Sequence, residues 1–448
     1  MLQKFTNFSV KLVQKYLPDP FLFAAILSLL TLLLGVTLTR QTPMAMIMHW
    51  SGSFWSLLAF TMQMVLVLVT GHTLAQAPVI KKVLKSIASI PKTPGGAIAL
   101  VTFISSVACW INWGFGLVVG ALLAKETARN VKVDYRLLIA SAYSGFLLWH
   151  GGLSGSIPLS LATPTTDFYT LTRGTLTGPI STNDTIFSGF NMAIVLVLLI
   201  TLPIVNRAMH PKNEEDIVTV DPSKLEDEKD YVPPTNMTPA EKLENSPIIS
   251  LLVGVMGMTF IFTHFMSHGF NLTLDLVNFI FLFLAIILHG TPIRFLIAVS
   301  AAIKGTSGII IQFPFYAGIM GMVTGANAAG LSLATLMSTG FVSISTQTTF
   351  PLFTFLSAGL VNVFVPSGGG QWAIQAPIMM PAGYTLGVDP AKTAMAIAWG
   401  EVWTNLIQPF WALPALGIAG LSAKDIMGFC IVNLFYVGAV IAAIFLIF

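Results

Sequence analysis

A short glycine-rich motif, Pro366-Ser-Gly-Gly-Gly370, interrupts an apolar stretch in the last quarter of the chain. Such a break exposes the first N–H groups of the next helix, and these groups and the helix dipole attract an anion. We therefore predict a carboxylate site at Ser367, Gly368, Gly369 and Gly370, with the amide of Gln371 as a further donor. The alternative is that the small residues only permit close helix packing. A nucleotide site is disfavoured, because no lysine follows the motif.

Two asparagines lie in comparable breaks and could bind a hard cation. An amide oxygen deep in a membrane needs a partner, and with the backbone carbonyls that a helix break frees it can coordinate Na+. We expect these carbonyls in residues 150–154 and 404–408. The predicted Na+ ligands are Asn112, Gly151, Asn362 and Asn405. For the two asparagines at the tips, Asn112 and Asn362, helix capping or an interhelical hydrogen bond stays open.

Ionisable residues are rare in the apolar part of the chain, and two of them are predicted proton carriers. Glu401 follows a glycine in an apolar run, where a carboxylate is costly unless it is paired or protonated. His150 lies inside a glycine-rich break, where it could contact either substrate or a proton. A structural ion near a span end and a satisfied buried histidine are the respective alternatives. Trp113 and Gln408, which also lie at breaks, complete the predicted substrate site, although ordinary packing would equally explain the tryptophan.

The composition places these residues in a membrane protein. Hydrophobic residues make up 55% of the chain and charged residues only 9%, and the mean hydropathy is +0.81. Globular proteins carry about 25% charged residues. A soluble enzyme, a disordered protein and a nucleic-acid binder are therefore excluded. The two cysteines lie in apolar surroundings and indicate no disulfide framework.

Charge-free runs and the positive-inside rule predict an all-α polytopic fold with about nine spans plus two re-entrant hairpins. The predicted spans are residues 21–39, 55–77, 137–160, 186–205, 247–266, 276–289, 305–322, 393–416 and 426–448. Basic clusters flank residues 93–124, and the uncharged stretch between them is too short for two crossings. We therefore predict a hairpin there; one long span that violates the charge rule is the alternative. A second hairpin is predicted at about residues 350–384. The N-terminus is then cytoplasmic and the C-terminus periplasmic.

The second half of the chain repeats the order of elements of the first half in the opposite orientation. Ala142-Tyr-Ser-Gly145 corresponds to Ala398-Trp-Gly400, and each precedes a broken segment. Residues 1–206 form the predicted first inverted repeat, residues 207–245 a charged cytoplasmic linker, and residues 246–448 an extra span plus the second repeat. Interrupted segments at matching positions of inverted halves indicate a transporter binding site.

Several longer motifs resemble a known family. They are Tyr16-Leu-Pro-Asp-Pro-Phe21, Thr70-Gly-His-Thr-Leu74, Ile111-Asn-Trp-Gly-Phe-Gly-Leu-Val-Val-Gly120, Gln312-Phe-Pro-Phe-Tyr-Ala-Gly318, Val365-Pro-Ser-Gly-Gly-Gly370 and Gln408-Pro-Phe-Trp-Ala-Leu-Pro-Ala-Leu416. Together they closely resemble the bacterial short-chain fatty acid transporter family, which is associated with acetoacetate and butyrate uptake. The resemblance implies an elevator-type carrier of the ion-transporter superfamily, which works as a homodimer in the inner membrane.

The resulting prediction is a secondary active carrier that takes up short-chain monocarboxylates with a cation gradient. No cofactor is expected other than Na+ or H+ as the coupling ion, and the partners are the substrate, the lipid bilayer and a second copy of the chain. A carrier of a dicarboxylate or an acylated amino acid is the nearest alternative, although few Arg or Lys residues lie near the breaks. A channel and an intramembrane enzyme built on His150 and Ser154 are further alternatives, and no hydrolase motif supports the enzyme.

Overall fold

The fold is described from a computed structural model for residues 2–163, 168–220, 231–269, 273–304 and 306–448. All regular elements in these ranges are helices, in agreement with the predicted all-α class. The helices of the first half are α1 (Leu2–Tyr16), α2 (Pro20–Leu38), α3 (Pro43–Ser53), α4 (Leu58–Gln76), α5 (Pro78–Ala88), α6 (Pro94–Ile111), α7 (Trp113–Asn130), α8 (Tyr135–Ser144), α9 (Ser156–Ala162), α10 (Phe168–Leu171) and α11 (Gly189–Ala208).

The second half continues the helical pattern after the charged segment. Its helices are α12 (Pro239–Glu244), α13 (Pro247–His268), α14 (Leu274–His289), α15 (Pro292–Ile303), α16 (Ser307–Thr324), α17 (Leu333–Val342), α18 (Phe350–Asn362), α19 (Gly368–Thr385), α20 (Pro390–Asn405), α21 (Pro409–Ala419) and α22 (Ala423–Ile447). Two short 3-10 helices, Gly145–Leu148 and Glu214–Asp216, complete the regular structure of the described ranges.

Seven of the described helices are long and apolar enough to cross a membrane, namely α2, α4, α6, α11, α13, α16 and α22. Six of these coincide with predicted crossings, whereas α6 belongs to the first predicted hairpin. The other predicted crossings, at residues 137–160, 276–289 and 393–416, are interrupted or form shorter apolar helices. A polytopic membrane protein is therefore supported, and the count of nine spans stays a prediction.

Helices α6 and α7 run antiparallel and meet at Asn112. A side chain on Gly116 would lie 2.3 Å from the Cys109 Sγ, and one on Gly120 would lie 2.5 Å from the Ser105 Oγ. These pairs are symmetric about the junction, as in a tight helical hairpin. Extended backbone at Asn112 (φ −154°, ψ 124°) ends α6 and begins α7. Whether both ends of this hairpin lie on one side of the membrane stays a prediction.

Helices α18 and α19 form a second pair with a longer connection. Near the connection, Gln371 Nε2 donates to the Ala358 carbonyl oxygen at 2.8 Å. Proline disfavours a helical conformation in the residue before it, so α18 ends ahead of Pro366. The Ser367 Oγ then accepts the Gly370 N–H at 3.3 Å and caps α19. The predicted tip motif is thus the first turn of a helix.

Two further helices are interrupted beside these pairs. The chain after α8 forms the 3-10 helix, turns through residues 149–154 and starts again as α9. Helix α20 ends at Asn405, and α21 starts at Pro409, whose missing N–H suits the first position of a helix. Irregular backbone at membrane depth is tolerated only inside protein or beside water. Both interruptions are buried almost throughout, which meets that requirement.

The first part of the predicted linker packs against the protein. Lys132 Nζ donates to Glu214 Oε2 at 2.7 Å, and this bond holds the pKa of the Glu214 carboxyl below its usual range. The Val218 N–H donates to the buried Asp134 carboxylate at 3.1 Å. The segment docks here because a buried carboxylate needs hydrogen-bond donors. Residues 221–230 of the linker lie outside the described residues.

The contact between Gly116 and Cys109 yields a test of the α6–α7 hairpin. Gly116→Ala places a Cβ 2.4 Å from the Cys109 backbone nitrogen, which cannot move independently of α6. We expect a loss of about 1–3 kcal/mol in unfolding free energy, as for other overpacked sites. Thermal unfolding in detergent measures it. Gly52→Ala is the matched control, because no atom lies within 4 Å of its added Cβ; equal melting temperatures for both variants would contradict the packing described.

Candidate functional site

The tip of the α6–α7 hairpin, around Asn112, contacts the first break, which is the interruption at residues 149–154. The Leu153 N–H donates to the Trp110 carbonyl oxygen at 2.8 Å, and the Trp113 N–H donates to Ser154 Oγ at 3.1 Å. A Cβ on Gly152 would lie 2.2 Å from the same Trp110 oxygen, so only glycine permits this approach. Hairpin and break thereby satisfy each other's free backbone groups.

The tip of the α18–α19 pair reaches the same break from the second half of the chain. A Cβ on Gly368 would lie 2.8 Å from the His150 Cε1 and 3.1 Å from the Trp149 Cη2. The ring of Trp149 stacks on the imidazole of His150 at 4.2 Å between centroids. The predicted anion motif and the predicted proton carrier of the other half are therefore neighbours.

His150 is fully buried and uses both ring nitrogens. Its Nε2 accepts the backbone N–H of Ile157 at 3.2 Å, in the first turn of α9. A backbone N–H only donates, so Nε2 carries no proton and the imidazole holds its hydrogen on Nδ1. That Nδ1 lies 2.8 Å from Glu401 Oε2 and donates to it. The neutral histidine thus orients the carboxylate through one nitrogen and caps a helix through the other.

Glu401 is a fully buried carboxylate with a hydrogen bond at each oxygen. Oε2 accepts from His150, and Oε1 accepts from the Asn405 Nδ2 at 3.0 Å. Both donors are neutral, so the carboxylate has no cationic partner among these contacts. An unpaired charge buried in this way is strongly disfavoured.

Asn362, the last residue of α18, joins the second tip to the second break. The second tip is the connection between α18 and α19, and the second break is the interruption between α20 and α21. The Asn362 Nδ2 donates to the Glu401 carbonyl oxygen at 2.8 Å, to the Thr404 Oγ1 at 3.0 Å and to the Asn405 Oδ1 at 2.6 Å. Its Oδ1 is buried and has no hydrogen-bond partner among the described residues. The Gln408 side chain repeats this pattern, because its Nε2 donates to the Val363 carbonyl oxygen at 2.6 Å while its Oε1 has no partner in the same ranges. Two buried acceptor oxygens are thus left for a ligand.

The first half is not equivalent in detail. The Asn112 Oδ1 accepts the Phe115 N–H at 3.0 Å and caps α7, which is the alternative role considered for it. The Gly151 carbonyl oxygen accepts from the Asn191 Nδ2 at 2.9 Å. The residue that matches Asn112 in the second half is therefore the cap Ser367, and Asn362 has a different role. The structure leaves the first-half oxygens less available to a cation than those of Asn362 and Gln408.

Gln371 also differs from its predicted role. Its Nε2 donates to the Ala358 carbonyl oxygen in α18 at 2.8 Å and to the Gln375 Oε1 within α19 at 2.9 Å, so both amide hydrogens are used inside the protein. It is therefore not a donor to substrate in this conformation. Trp113 lies 5.4 Å from the Trp411 ring and 6.2 Å from the Trp149 ring, in an aromatic cluster beside the first break.

Some contributors to the site were missed in the sequence. The Tyr143 hydroxyl donates to the Asn405 carbonyl oxygen across the two halves, and Asn191 holds both Gly151 and the Trp399 indole. Tyr143 lies in one of the two matching repeat motifs, and Asn191 is an isolated amide in an apolar run. Each could therefore have been recognised in the sequence as a candidate site residue. The indole N–H groups of Trp149 and Trp411 are buried and have no acceptor among the described residues.

A family model described as Short chain fatty acid transporter matches residues 1–448, the whole chain. The chain belongs to the short-chain fatty acid transporter family. A relative from Escherichia coli K12 is 47% identical over 443 residues, which is 98% of each chain. A relative from Haemophilus influenzae is 46% identical over 441 residues, 97% of each chain. Both carry short-chain fatty acid transporter as a provisional name, and neither is an enzyme, as predicted for this chain.

Two solved transporter structures resemble the chain more distantly. The Alcanivorax borkumensis YdaH transporter is 15% identical with a TM-score of 0.42, and the match covers 96% of this chain and 97% of that one. Neisseria gonorrhoeae MtrF, of a class of antimetabolite efflux pumps, is 14% identical with a TM-score of 0.38, over 98% and 96% of the two chains. Similarity at this level assigns no shared mechanism. Family membership confirms a multi-pass membrane transporter, in keeping with a bacterial inner membrane.

The contact between Gly368 and His150 predicts the effect of a single methyl group in this transporter. Gly368→Ala brings a Cβ to 2.8 Å from a ring whose two nitrogens are both held by hydrogen bonds. Overpacking of about 1–3 kcal/mol should separate tip and break, and uptake of labelled butyrate should fall about tenfold or more at unchanged protein level. Gly340→Ala, whose Cβ meets no atom within 4 Å, should keep full uptake. Equal uptake by both variants would show that the tip does not need this contact.

Proposed function

We propose that the protein takes up short-chain monocarboxylates such as acetoacetate and butyrate by secondary active transport coupled to a cation gradient. One observation carries the proposal: Gly368 of the second tip lies against His150, whose imidazole donates to the buried Glu401. A predicted anion site and a carboxylate that favours a cation are thus one residue apart. Simultaneous binding of anion and cation is the requirement of a symporter.

The anion binds at the first turn of α19. Among the described residues, no acceptor faces the N–H groups of Gly368 and Gly369, and a Cβ on Gly369 would meet no atom within 4 Å. Free N–H groups beside open space at a helix N-terminus suit a carboxylate. The rings of Trp149 and Trp411 belong to the adjoining aromatic cluster. Their apolar faces suit a short alkyl tail. No arginine or lysine lies at the tip or in either break, which favours a singly charged substrate over a dicarboxylate.

The proton is the proposed coupling cation, and the His150–Glu401 pair carries it. Protonation of Glu401 removes the net charge of the pair, whereas protonation of His150 at Nε2 would break the hydrogen bond from the Ile157 N–H. A sodium ion is the second candidate, because the Asn362 Oδ1 and the Gln408 Oε1 are buried acceptors without partners. Oxygen ligands of this type suit a hard cation. The Asn405 oxygens, by contrast, already accept hydrogen bonds from Tyr143 and Asn362.

We propose that the two halves are inverted repeats and that they work by an alternating-access cycle. Gly145 and Gly400, which end the two matching motifs, serve the same purpose in both halves. A Cβ on Gly145 would lie 2.6 Å from the Ser105 backbone carbon in α6, and one on Gly400 would lie 2.2 Å from the Phe355 carbonyl oxygen in α18. Each glycine thus seats a broken helix on the first helix of a hairpin. We propose that these hairpins and broken helices move together against the other spans, in a homodimer with a periplasmic C-terminus.

Uptake into proteoliposomes under imposed gradients tests the coupling. An inward proton gradient should drive accumulation of labelled butyrate, and Glu401→Gln should lose about tenfold or more of it, because the neutral amide neither gains nor releases a proton. Exchange of internal for external butyrate, which needs no net proton movement, should persist in this variant. Glu126→Gln is the control, since Glu126 pairs with Arg129 away from the site.

Other outcomes assign the function differently. Uptake that follows Na+ and ignores pH, with a raised Na+ requirement in Asn362→Ala, would transfer the coupling to the unpartnered oxygens. Competition by butyramide as strong as that by butyrate would contradict a carboxylate site. Uptake that neither saturates nor shows counterflow would identify a channel, and consumption of butyrate an enzyme.

A further inference from the structure

A cavity of about 650 Å³ lies beside α19 and outside the site described above. It is bounded by α16, α17, α19 and the turn after α10, and the residues that line it include Arg173, Ser332, Thr335, Thr339, Ile374 and Pro377. Arg173 is the single charged side chain among the described residues of this lining. Hydroxyl groups and apolar side chains make up most of the remaining wall.

The cavity begins one helical turn from the proposed anion site at the first turn of α19. A Cβ on Gly370 would lie 3.3 Å from the Met320 Cε, so α16 and α19 touch there. Thr324 and Ile374, each four residues further along its helix, both line the cavity. Residues four apart share a helix face, so the cavity and the tip lie along one continuous face of α19.

Arg173 is held in place by the turn that ends α10. Its backbone is left-handed (φ 50°), a conformation that few non-glycine residues adopt. On either side of it, the buried Thr172 Oγ1 accepts the Leu176 N–H at 2.9 Å, and the Gly174 N–H donates to the Tyr169 carbonyl oxygen at 2.8 Å. The guanidinium is exposed, and no carboxylate in the described part of the chain pairs with it.

We propose that this cavity is an anion-capture vestibule in which Arg173 concentrates the carboxylate substrate before it reaches the tip of α19. Cavities of about 300–1,000 Å³ enclose drug-sized ligands, so a short-chain acid occupies this one loosely. The cavity therefore acts by raising the local concentration of anions, as charged clefts do. This inference rests on the proposed function for the identity of the substrate.

The electrostatic potential in the cavity can be measured with one anionic and one cationic thiol reagent. The two native cysteines, Cys109 and Cys430, are both fully buried, so Thr339→Cys introduces an accessible thiol in the cavity wall. We compare the modification rates by an anionic and a cationic methanethiosulfonate, added from the side that exposes Thr339. A second change, Arg173→Gln, should lower the anionic-to-cationic rate ratio about fivefold to tenfold, as expected for one charge at close range in a hydrated site.

Arg40→Gln is the matched control for the loss of charge. Arg40 is also an exposed, left-handed arginine in a connection (φ 54°), and it does not line the cavity. In the Thr339→Cys protein it should leave the rate ratio unchanged. An unchanged ratio in the Arg173→Gln protein, or an equal fall in the Arg40→Gln protein, would overturn the proposal.

Protection by butyrate identifies the ligand without reference to transport. Butyrate, and not butyramide, should slow modification of Thr339→Cys, and Arg173→Gln should abolish this protection. Absent protection, or protection that survives Arg173→Gln, would overturn the vestibule even if the parent protein accumulates butyrate. Conversely, Arg173-dependent protection in a protein that fails to accumulate butyrate would support the vestibule while the proposed symport failed.

Discussion

A buried carboxylate, Glu401, sets the conditions that the rest of the site meets. The Glu401 side chain is fully buried, and its hydrogen-bond donors, His150 and Asn405, come from the two halves of the chain. Each half alone would leave the carboxylate only partly satisfied, at a cost of about 1–3 kcal/mol or more for each lost bond to a charged group. The two halves are therefore joined at the point where the charge is buried.

The helix breaks follow from the same condition. A continuous α20 would direct its backbone groups along the helix axis, whereas the break after Asn405 frees the Asn405 and Gln408 carbonyl oxygens, which the Tyr143 hydroxyl contacts. The break around His150 lets the imidazole reach Glu401 through one nitrogen and cap α9 through the other. In a membrane these freed groups find partners only in protein, so the hairpin tips that cover them are required by the breaks.

Much of this architecture could be predicted from sequence because its signals are local. Glycine, proline and asparagine in apolar runs marked both breaks and both hairpins, and they lie where the structure interrupts its helices. The partner of each polar group could not be predicted, since His150 and Glu401 are 251 residues apart. The same limit explains Gln371, which looked like a substrate ligand until Ala358 and Gln375 proved to be its partners.

The unequal roles of Asn112 and Asn362 show a second limit of sequence reasoning. Both lie near hairpin tips, yet a one-residue junction makes Asn112 the cap of α7, whereas the longer connection after Asn362 gives capping to Ser367. Asn362 is then free to contact α20 and Asn405. Loop length, and not residue type, decides which asparagine faces the second break.

Electrostatics then argues for obligatory coupling. In the proposed cycle, a substrate carboxylate bound at Gly368 would lie next to His150, and the next group along the hydrogen bond is the Glu401 carboxylate. Two like charges brought close together in a medium of low dielectric repel each other. The neutral imidazole between them cannot offset that repulsion, whereas one cation or proton at Glu401 removes it. The anion and the cation would then each raise the affinity of the other by the same factor. Coupling of this kind requires only the proximity of the two carboxylates and no separate gate.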